Sequence, residues 1–377
     1  MKVLHLFGDW KWTGPAEPTL DLCLNLRALG IDARLACKAE EPGASSSLPR
    51  KALERGLTPI LDLAFNKKLN IRDNLADIGR VRDLCDRDQV DLVHVHSSHD
   101  HIVGALGARK ARRPAKIVRT NQKAIPTPAN LFSRWLMRRM DGYLTYSQEA
   151  LDADVRSFKL TKAWRVDPAL HLERFDPARV TTDVRPRFSL DRGDFVLGVV
   201  ARMQRHRRFD ILLEGVKRAL DRVPRLRVLI VGRGTHMDEV AVQPAKRLGL
   251  EQVVTFTGYL ADAYVDTLAL FDALLFLVPG SDGTCRALRE AMSMAKPIIG
   301  ARRGMIPELV DDGRTGLVVD DTPENIAAAI AKLAADRPAA QVMGKAGREK
   351  ALRTWDLRKQ AEQVAQAYER VLTFSPS

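Results

Sequence analysis

The chain has 377 residues, 45% of them hydrophobic and 28% charged, with a formal net charge of +13. That length accommodates two ordinary domains with substantial cores, and that balance excludes a disordered chain or an integral membrane protein. The longest apolar runs fall far short of the roughly 20 residues a membrane-spanning helix needs. Lys2–Phe7 enters a strand at once, so no secretory leader is expected. Cys23, Cys37, Cys85 and Cys285 have no paired spacing, as expected of buried, reduced thiols in a cytosolic protein. The positive charge suits an anionic small molecule or an anionic membrane surface, or it is simply a soluble surface. No helix-turn-helix, zinc-finger or RNA-binding-sheet signature is present, so nucleic acid is not an expected partner.

Apolar runs alternate with amphipathic stretches along the chain, which predicts doubly wound parallel sheets. Lys2–Phe7 is the first strand, followed by a loop with Trp10, Trp12, Gly14 and Glu17 and a helix from Leu20 to Leu29. The two tryptophans either stack on a ligand or pack on the domain surface. Ile31–Lys38 reads as a strand and Ile71–Asp86 as a helix. Asp91–His96 is a buried strand running into Ser97, Ser98, His99, Asp100 and His101. Four clustered histidines invite a metal, but no carboxylate or thiol partner is fixed beside them, so none is expected. Lys116–Thr120 is a strand. The segment Asn130–Arg139 carries Phe132, Trp135 and Leu136 on one side and Arg134, Arg138 and Arg139 on another. Such a helix either lies on an anionic membrane or packs its apolar face inward. Gly142–Ser147, Glu149–Phe158 and Trp164–Val166 read as strand, helix and strand, closing a first domain over residues 1–170.

Residues 171–192, with Pro177 and Pro186, read as an interdomain connection. The second domain spans residues 193–355, and residues 356–377 form a last helix and tail. Phe195–Val200 is its first strand, followed by a basic loop with Arg202 and Arg207. Leu212–Val223 is a helix, Arg227–Val231 a strand, and Gly232-Arg233-Gly234 a tight turn at the strand end. Glu239–Leu248 is helical, shortened by Pro244. Val253–Phe256 is a strand running into Gly258 and Tyr259. Ala273–Val278 is a short apolar strand of the kind buried on both faces of a parallel sheet. Pro279, Gly280 and Ser281 end it, Asp282 and Gly283 turn, and Thr284–Met294 reads as a helix with Thr284 as cap. Free amides of Thr284, Cys285 and Arg286 at such a helix start suit phosphate. Asp282 and Glu290, with seven residues between them, add two carboxylates that suit sugar hydroxyls. Together they point to a nucleotide-sugar site. Leu317–Val319 is a strand, and Thr322-Pro323-Glu324 a clear helix start.

Pro279, Ser281, Asp282, Gly283, Glu290-Ala291-Met292, Pro297, Gly304 and Glu308 together resemble the acid-x7-acid signature of the retaining glycosyltransferases of family four. The resemblance implies the GT-B fold: α/β, two doubly wound Rossmann-like domains facing a cleft, with a C-terminal helix crossing back to the first. It implies transfer of a sugar from a nucleotide-diphosphate sugar of the UDP or GDP type, without metal or other cofactor. Arg202 and Arg207 would neutralise the diphosphate, Arg207 standing where lysine is usual. Phe256, Gly258 and Tyr259 would hold the base beside the Gly232–Gly234 turn, Glu290 the ribose, and Asp282 the transferred sugar. On the acceptor side, Gly14 and Glu17 partly match the family's glycine-rich loop. His96 falls at its strand-end histidine, and Gln122 stands where relatives carry histidine.

Three departures are expected to matter: Asp282 is one methylene shorter than the usual glutamate, Gln122 replaces histidine, and Arg207 replaces lysine. The implied acceptor is a glycolipid or lipopolysaccharide precursor, reached by a cytoplasmic enzyme resting on an anionic membrane face. Two other readings fit the same fold: a nucleotide-sugar epimerase, and a non-catalytic sugar- or lipid-binding relative.

Overall fold

The computed structural model describes residues 1–44, 46–66, 70–260, 262–280 and 283–373. Its chain divides into two compact units, Met1–Ala169 with Leu357–Ser377, and Leu170–Asp356. In chain order the first unit holds β1 (Lys2–Phe7), α1 (Ala16–Ala28), β2 (Asp32–Cys37), α2 (Leu48–Glu54), α3 (Ile71–Asp88) and β3 (Leu92–Val95). It continues with α4 (Ser98–Arg109), β4 (Lys116–Asn121), α5 (Leu131–Met137), β5 (Gly142–Thr145), α6 (Gln148–Phe158) and β6 (Ala163–Arg165). The second unit holds β7 (Phe195–Val200), α7 (Phe209–Ala219), β8 (Leu226–Val231), α8 (Gln243–Arg247), β9 (Val254–Gly258), α9 (Tyr264–Leu270) and β10 (Ala273–Phe276). Then come α10 (Arg286–Ser293), β11 (Ile298–Ala301), α11 (Ile306–Leu309), β12 (Gly316–Val319), α12 (Pro323–Ala335) and α13 (Arg337–Thr354). The last helix, α14 (Leu357–Thr373), belongs to the first unit.

Each unit is built on a parallel six-stranded sheet, ordered β2-β1-β3-β4-β5-β6 in the first and β12-β11-β10-β7-β8-β9 in the second. Strand sequences such as Phe195-Val196-Leu197-Gly198-Val199-Val200 are apolar throughout because helices cover both faces. The second core gathers Leu197, Val199, Leu213, Val216, Ile230, Leu275, Ile326 and Ile330 from strands and from α7 and α12. The first unit's sheet covers one face with α3 and α4, where Leu4, Leu6, Val81, Val93, Val95 and Ile117 are buried. All four cysteines are free and buried. Among the described residues, no helix is long and apolar enough to cross a membrane.

Several local expectations change. The histidine-rich stretch after β3, given no element from the sequence, is helical: Ser97 accepts the Asp100 N–H at 3.3 Å and starts α4 at once. The helix expected around Pro244 is split into a π-helical turn, Asp238–Val242, and α8, since proline removes one backbone donor. Residues 171–192 fall within the second unit. Phe175 is buried there, its carbonyl accepts the Ser293 hydroxyl at 2.9 Å, and Asp176 pairs with Arg348 at 2.8 Å. β11 and α13 had no counterpart in the sequence reading. Thr322 caps α12 with Pro323 in its first turn, as its sequence predicts.

Candidate functional site

In the second sheet the strand order reverses between β7 and β10, with β8 and β9 on one side and β11 and β12 on the other. Open α/β sheets bind ligands outside the carboxyl ends of the strands at such a reversal. The loops leaving β7, β8 and β9 are joined there by backbone hydrogen bonds. Ala201 N donates to Val231 O at 3.1 Å, Met203 N to Arg233 O at 3.3 Å, and Gly232 N to Gly258 O at 2.9 Å. Gly232 and Gly234 are needed for this approach. A Cβ would lie 2.2 Å from the Ala201 carbonyl oxygen at Gly232 and 2.0 Å from that of Met203 at Gly234. Gly232 also has a φ of +139°.

The cations of this edge differ in how committed they are. Arg207 gives one guanidinium nitrogen to the carbonyls of Val278 and Pro279, both at 2.8 Å, and so clips the loop after β7 to the loop after β10. It therefore has a structural duty that its expected phosphate role did not include. Arg202 is exposed and has no side-chain partner among the described residues. Arg233, between the two glycines, is likewise exposed and unpartnered among them, and its Nε lies near Gly258. Arg233 is a further candidate, one that the glycine spacing of its turn does not reveal in the sequence.

The start of α10 corrects another expectation. Thr284 does not cap it: the helix begins at Arg286, and Cys285 sits before it in the left-handed region with φ 50° and no side-chain cap. Gly283 precedes this twist with φ 71°. Thr284 is instead held by the buried Arg289, which donates to its carbonyl oxygen at 2.9 Å and its hydroxyl at 3.3 Å. Glu290 is 5% exposed, accepting from Arg286 Nε at 2.8 Å and from the Tyr264 hydroxyl at 2.5 Å. Burial, and then the Glu290 charge, hold the Tyr264 phenol well above its ordinary pKa, so it stays a donor. Two of the roughly four acceptor positions of the Glu290 carboxylate are thus taken. Phe256 packs half-buried on the core, whereas Tyr259 is 71% exposed. Asp282 and Ser281 lie outside the described residues.

The first unit gathers its own polar cluster at the carboxyl ends of β1, β3 and β4. Gln122 Nε2 donates to Thr19 Oγ1 at 2.9 Å and contacts His96 Nδ1 at 3.1 Å. His96 Nε2 meets His5 Nδ1 at 3.2 Å. His94 sits beside both rings and bonds Tyr368 OH at 2.5 Å and Thr120 Oγ1 at 2.6 Å. Burial lowers His96 to about 3, and burial with neighbouring imidazoles lowers His5 and His94 well below the ordinary value. All three rings are neutral at pH 7. Their ligating atoms lie within 4.8 Å of one another. The His5–His96 contact nevertheless has hydrogen-bond geometry: the planes differ by 16°, with centroids 5.4 Å apart and a 3.2 Å nitrogen contact, so the rings meet edge to edge. Gly14 is exposed. Glu17, in the first turn of α1, pairs with Arg55 at 3.5 Å, and Arg55 also covers the Trp12 ring at 5.4 Å. Trp12 packs on the core, the inward of its two readings.

Two Rossmann-like units, one with a basic, glycine-tightened strand edge, make this an α/β protein of the GT-B fold. The family model described as Glycosyltransferase Family 4 matches residues 14–174, and that described as Glycosyl transferases group 1 matches residues 180–350. The chain belongs to family four of the glycosyltransferases. It is 32% identical over 211 residues to the GDP-mannose-dependent alpha-(1-6)-phosphatidylinositol monomannoside mannosyltransferase of Mycolicibacterium smegmatis, covering 53% of this chain and 54% of that one. The chain thus spans about half the length of the mycobacterial relatives it matches. Similarity to the putative glycosyltransferase EpsD of Bacillus subtilis, at 24% identity, covers 78% of this chain and 80% of that one. Among solved structures, a glycosyltransferase from Rickettsia africae superposes with a TM-score of 0.83 at 17% identity, covering 99% of both chains. Anabaena HepE in complex with UDP gives 0.79 at 20% identity, covering 98% of this chain and all of that one. At these identities the structures speak for the fold.

Proposed function

We propose that the protein is a retaining, metal-independent glycosyltransferase using a nucleotide-diphosphate sugar of the UDP or GDP type. The observation that carries this reading is the convergence of the loops after β7, β8, β9 and β10 on one sheet edge, with Arg202 and Arg233 left exposed there. In this reading Arg202 holds the diphosphate with the amides around Thr284–Arg286, and Arg207 fixes the loop that presents them. The base lies by Phe256–Tyr259 and the ribose hydroxyls on the free acceptor positions of Glu290. Asp282 holds hydroxyls of the transferred sugar.

The bond from anomeric carbon to phosphate oxygen breaks, and the acceptor oxygen bonds to that carbon from the same face. The acceptor proton passes to the departing phosphate oxygen. Negative charge grows on the diphosphate as the bond breaks, so fixed guanidiniums and amides favour the transition state over the ground state. They supply the charge a divalent ion would otherwise bring. Relatives' names support the donor class: the mycobacterial relative is named GDP-mannose-dependent, and HepE was solved with UDP.

The acceptor is assigned to the first unit, near Gly14, Glu17, His96 and Gln122, and is a glycolipid. Leu131 is 85% exposed, Phe132 51%, Trp135 37% and Ile125 53%, in a surface interspersed with Arg134, Arg138 and Arg139. The Arg139 guanidinium lies 3.9 Å over the Trp135 ring, while Leu136 and Met137 form the helix's inward side. An apolar outer face with cations beside it suits an anionic bilayer surface. The test is incubation of the purified chain with UDP- and GDP-sugars and a lipid acceptor in excess chelator. Glycolipid product with retained anomeric configuration is expected. Product that appears only with a divalent ion contradicts the metal-independent reading.

A further inference from the structure

The acceptor assignment gains detail from hydrogens that the heavy atoms of the first unit fix. The Thr19 hydroxyl gives its hydrogen to Pro15 O at 2.9 Å, so its oxygen is free to accept, and Gln122 Nε2 stands 2.9 Å from it. The amide nitrogen of Gln122 therefore lies on that side, and its second hydrogen points at His96 Nδ1, 3.1 Å away. A neutral imidazole that accepts at Nδ1 carries its hydrogen on Nε2. That hydrogen is donated to His5 Nδ1 at 3.2 Å, which in turn places the His5 hydrogen on Nε2. Neutrality of both rings follows from their burial. Each group in the row thus dictates the next. His94 takes no share in the row through its nitrogens, which serve Thr120 and Tyr368; it lies beside the two rings at centroid distances of 4.3 and 4.9 Å.

Two atoms are left over: among the described residues, Gln122 Oε1 and His5 Nε2 are buried without a hydrogen-bond partner. A buried orphan is costly unless something pairs with it in the working state. Gln122 is 6% exposed and follows the carboxyl end of β4 by one residue, at the sheet edge where ligands bind.

We infer that His5 and His96 are positioning residues that hold the Gln122 amide in one of its two flips, so that its carbonyl oxygen is offered to a hydroxyl of the bound acceptor. This rests on the assignment of the acceptor to the first unit. The opposite flip would offer an NH2 group and repel the same hydroxyl's hydrogen. The row works as a lock: reversing it requires both imidazoles to exchange tautomers and Thr19 to turn its hydroxyl away from Pro15.

The direct test needs no variant. Long-range 15N–1H correlation spectra of the whole chain, labelled at histidine, read the tautomer of each ring. His96 and His5 are expected as neutral Nε2–H forms at pH 7, and either ring in the Nδ1–H form overturns the inference. So does one equivalent of tightly bound zinc. The variants His5→Phe and Gln122→Met then test the purpose of the lock. Loss of one neutral hydrogen bond weakens acceptor binding about tenfold. His5→Phe should thus raise the acceptor KM by about that factor with the donor KM unchanged. Adding His5→Phe to Gln122→Met should cost nothing further, because the lock then has no amide to hold. Fully additive losses contradict the positioning role. If the tautomers are as expected and neither variant touches the acceptor KM, the acceptor assignment fails instead.

Discussion

Arg202→Ala is the substitution whose consequences are most sharply constrained. In the free protein the Arg202 guanidinium is exposed, and its removal breaks no hydrogen bond or ion pair among the described residues. A surface change of that kind alters stability by no more than about 0.5 kcal/mol. With a diphosphate in place the same group makes a charge-assisted hydrogen bond worth about 1.5–3 kcal/mol. Coulomb's law at 4 Å and an effective dielectric of about 20 gives about 4 kcal/mol, an upper bound for an exposed pair. The expected loss is therefore roughly 10- to 150-fold in diphosphate affinity. Isothermal titration of UDP, GDP and the matching nucleosides at two salt concentrations measures it. The diphosphates should weaken by that factor, less at high salt, while nucleoside binding and the melting temperature stay level. Equal weakening of nucleoside and diphosphate, or a diphosphate affinity that does not change, refutes the placement of the pyrophosphate.

Arg207→Ala should behave differently, since it removes two bonds to the carbonyls of Val278 and Pro279. Unfolding in urea should show a loss of about 1–3 kcal/mol together with weaker diphosphate binding; an affinity loss with no change in stability contradicts the clip. Gly234→Ala must push the turn after β8 off the Met203 carbonyl, so stability should fall by at least about 1 kcal/mol and donor affinity with it. A variant with a wild-type urea midpoint would overturn that packing account. Acid should destabilise the native state through its buried imidazoles. His96 and His101 are each lowered to about 3 by burial, against an unfolded value near 6.5. The unfolded chain then binds protons first, so this stability is complete above pH 6.5. It is lost as pH falls toward 3, at up to about 1.4 kcal/mol per pH unit for each group. Melting at pH 7.5 and 5.5 should show the drop, and an equal or higher melting temperature at 5.5 is the contrary result. Sedimentation with vesicles should show binding to phosphatidylserine but not phosphatidylcholine, reduced by salt and by Trp135→Ala; binding that ignores lipid charge and salt contradicts the basic surface.

The sheets were legible because their strands are buried on both faces and so read as unbroken apolar runs. Phe195–Val200 is found at its predicted bounds for that reason. Thr322 before Pro323 marked α12 because cap and proline act within one turn. β11 escaped because four residues, Ile298–Ala301, carry too little pattern to separate from a loop. The start of α4 was hidden because its cap, Ser97, is separated from the strand by a single residue and is itself followed by another serine. At the candidate site, the acid pair and glycine turns were visible as spacings along the chain. What each group does was not visible, because it depends on partners far away in sequence. Arg207 meets carbonyls at Val278 and Pro279, Glu290 meets Tyr264, and Gln122 meets Thr19 and His96. Thr284 looked like a cap until the left-handed Cys285 moved the helix start past it.

Hydrogen–deuterium exchange of the whole chain, with and without a saturating nucleoside diphosphate, tests the central claim most directly. Protection is expected in the second unit at residues 201–208, 232–237, 257–260 and 283–287, the segments at or after the ends of β7, β8, β9 and β10. Protection confined to other segments, or none at a concentration where titration shows binding, would contradict it.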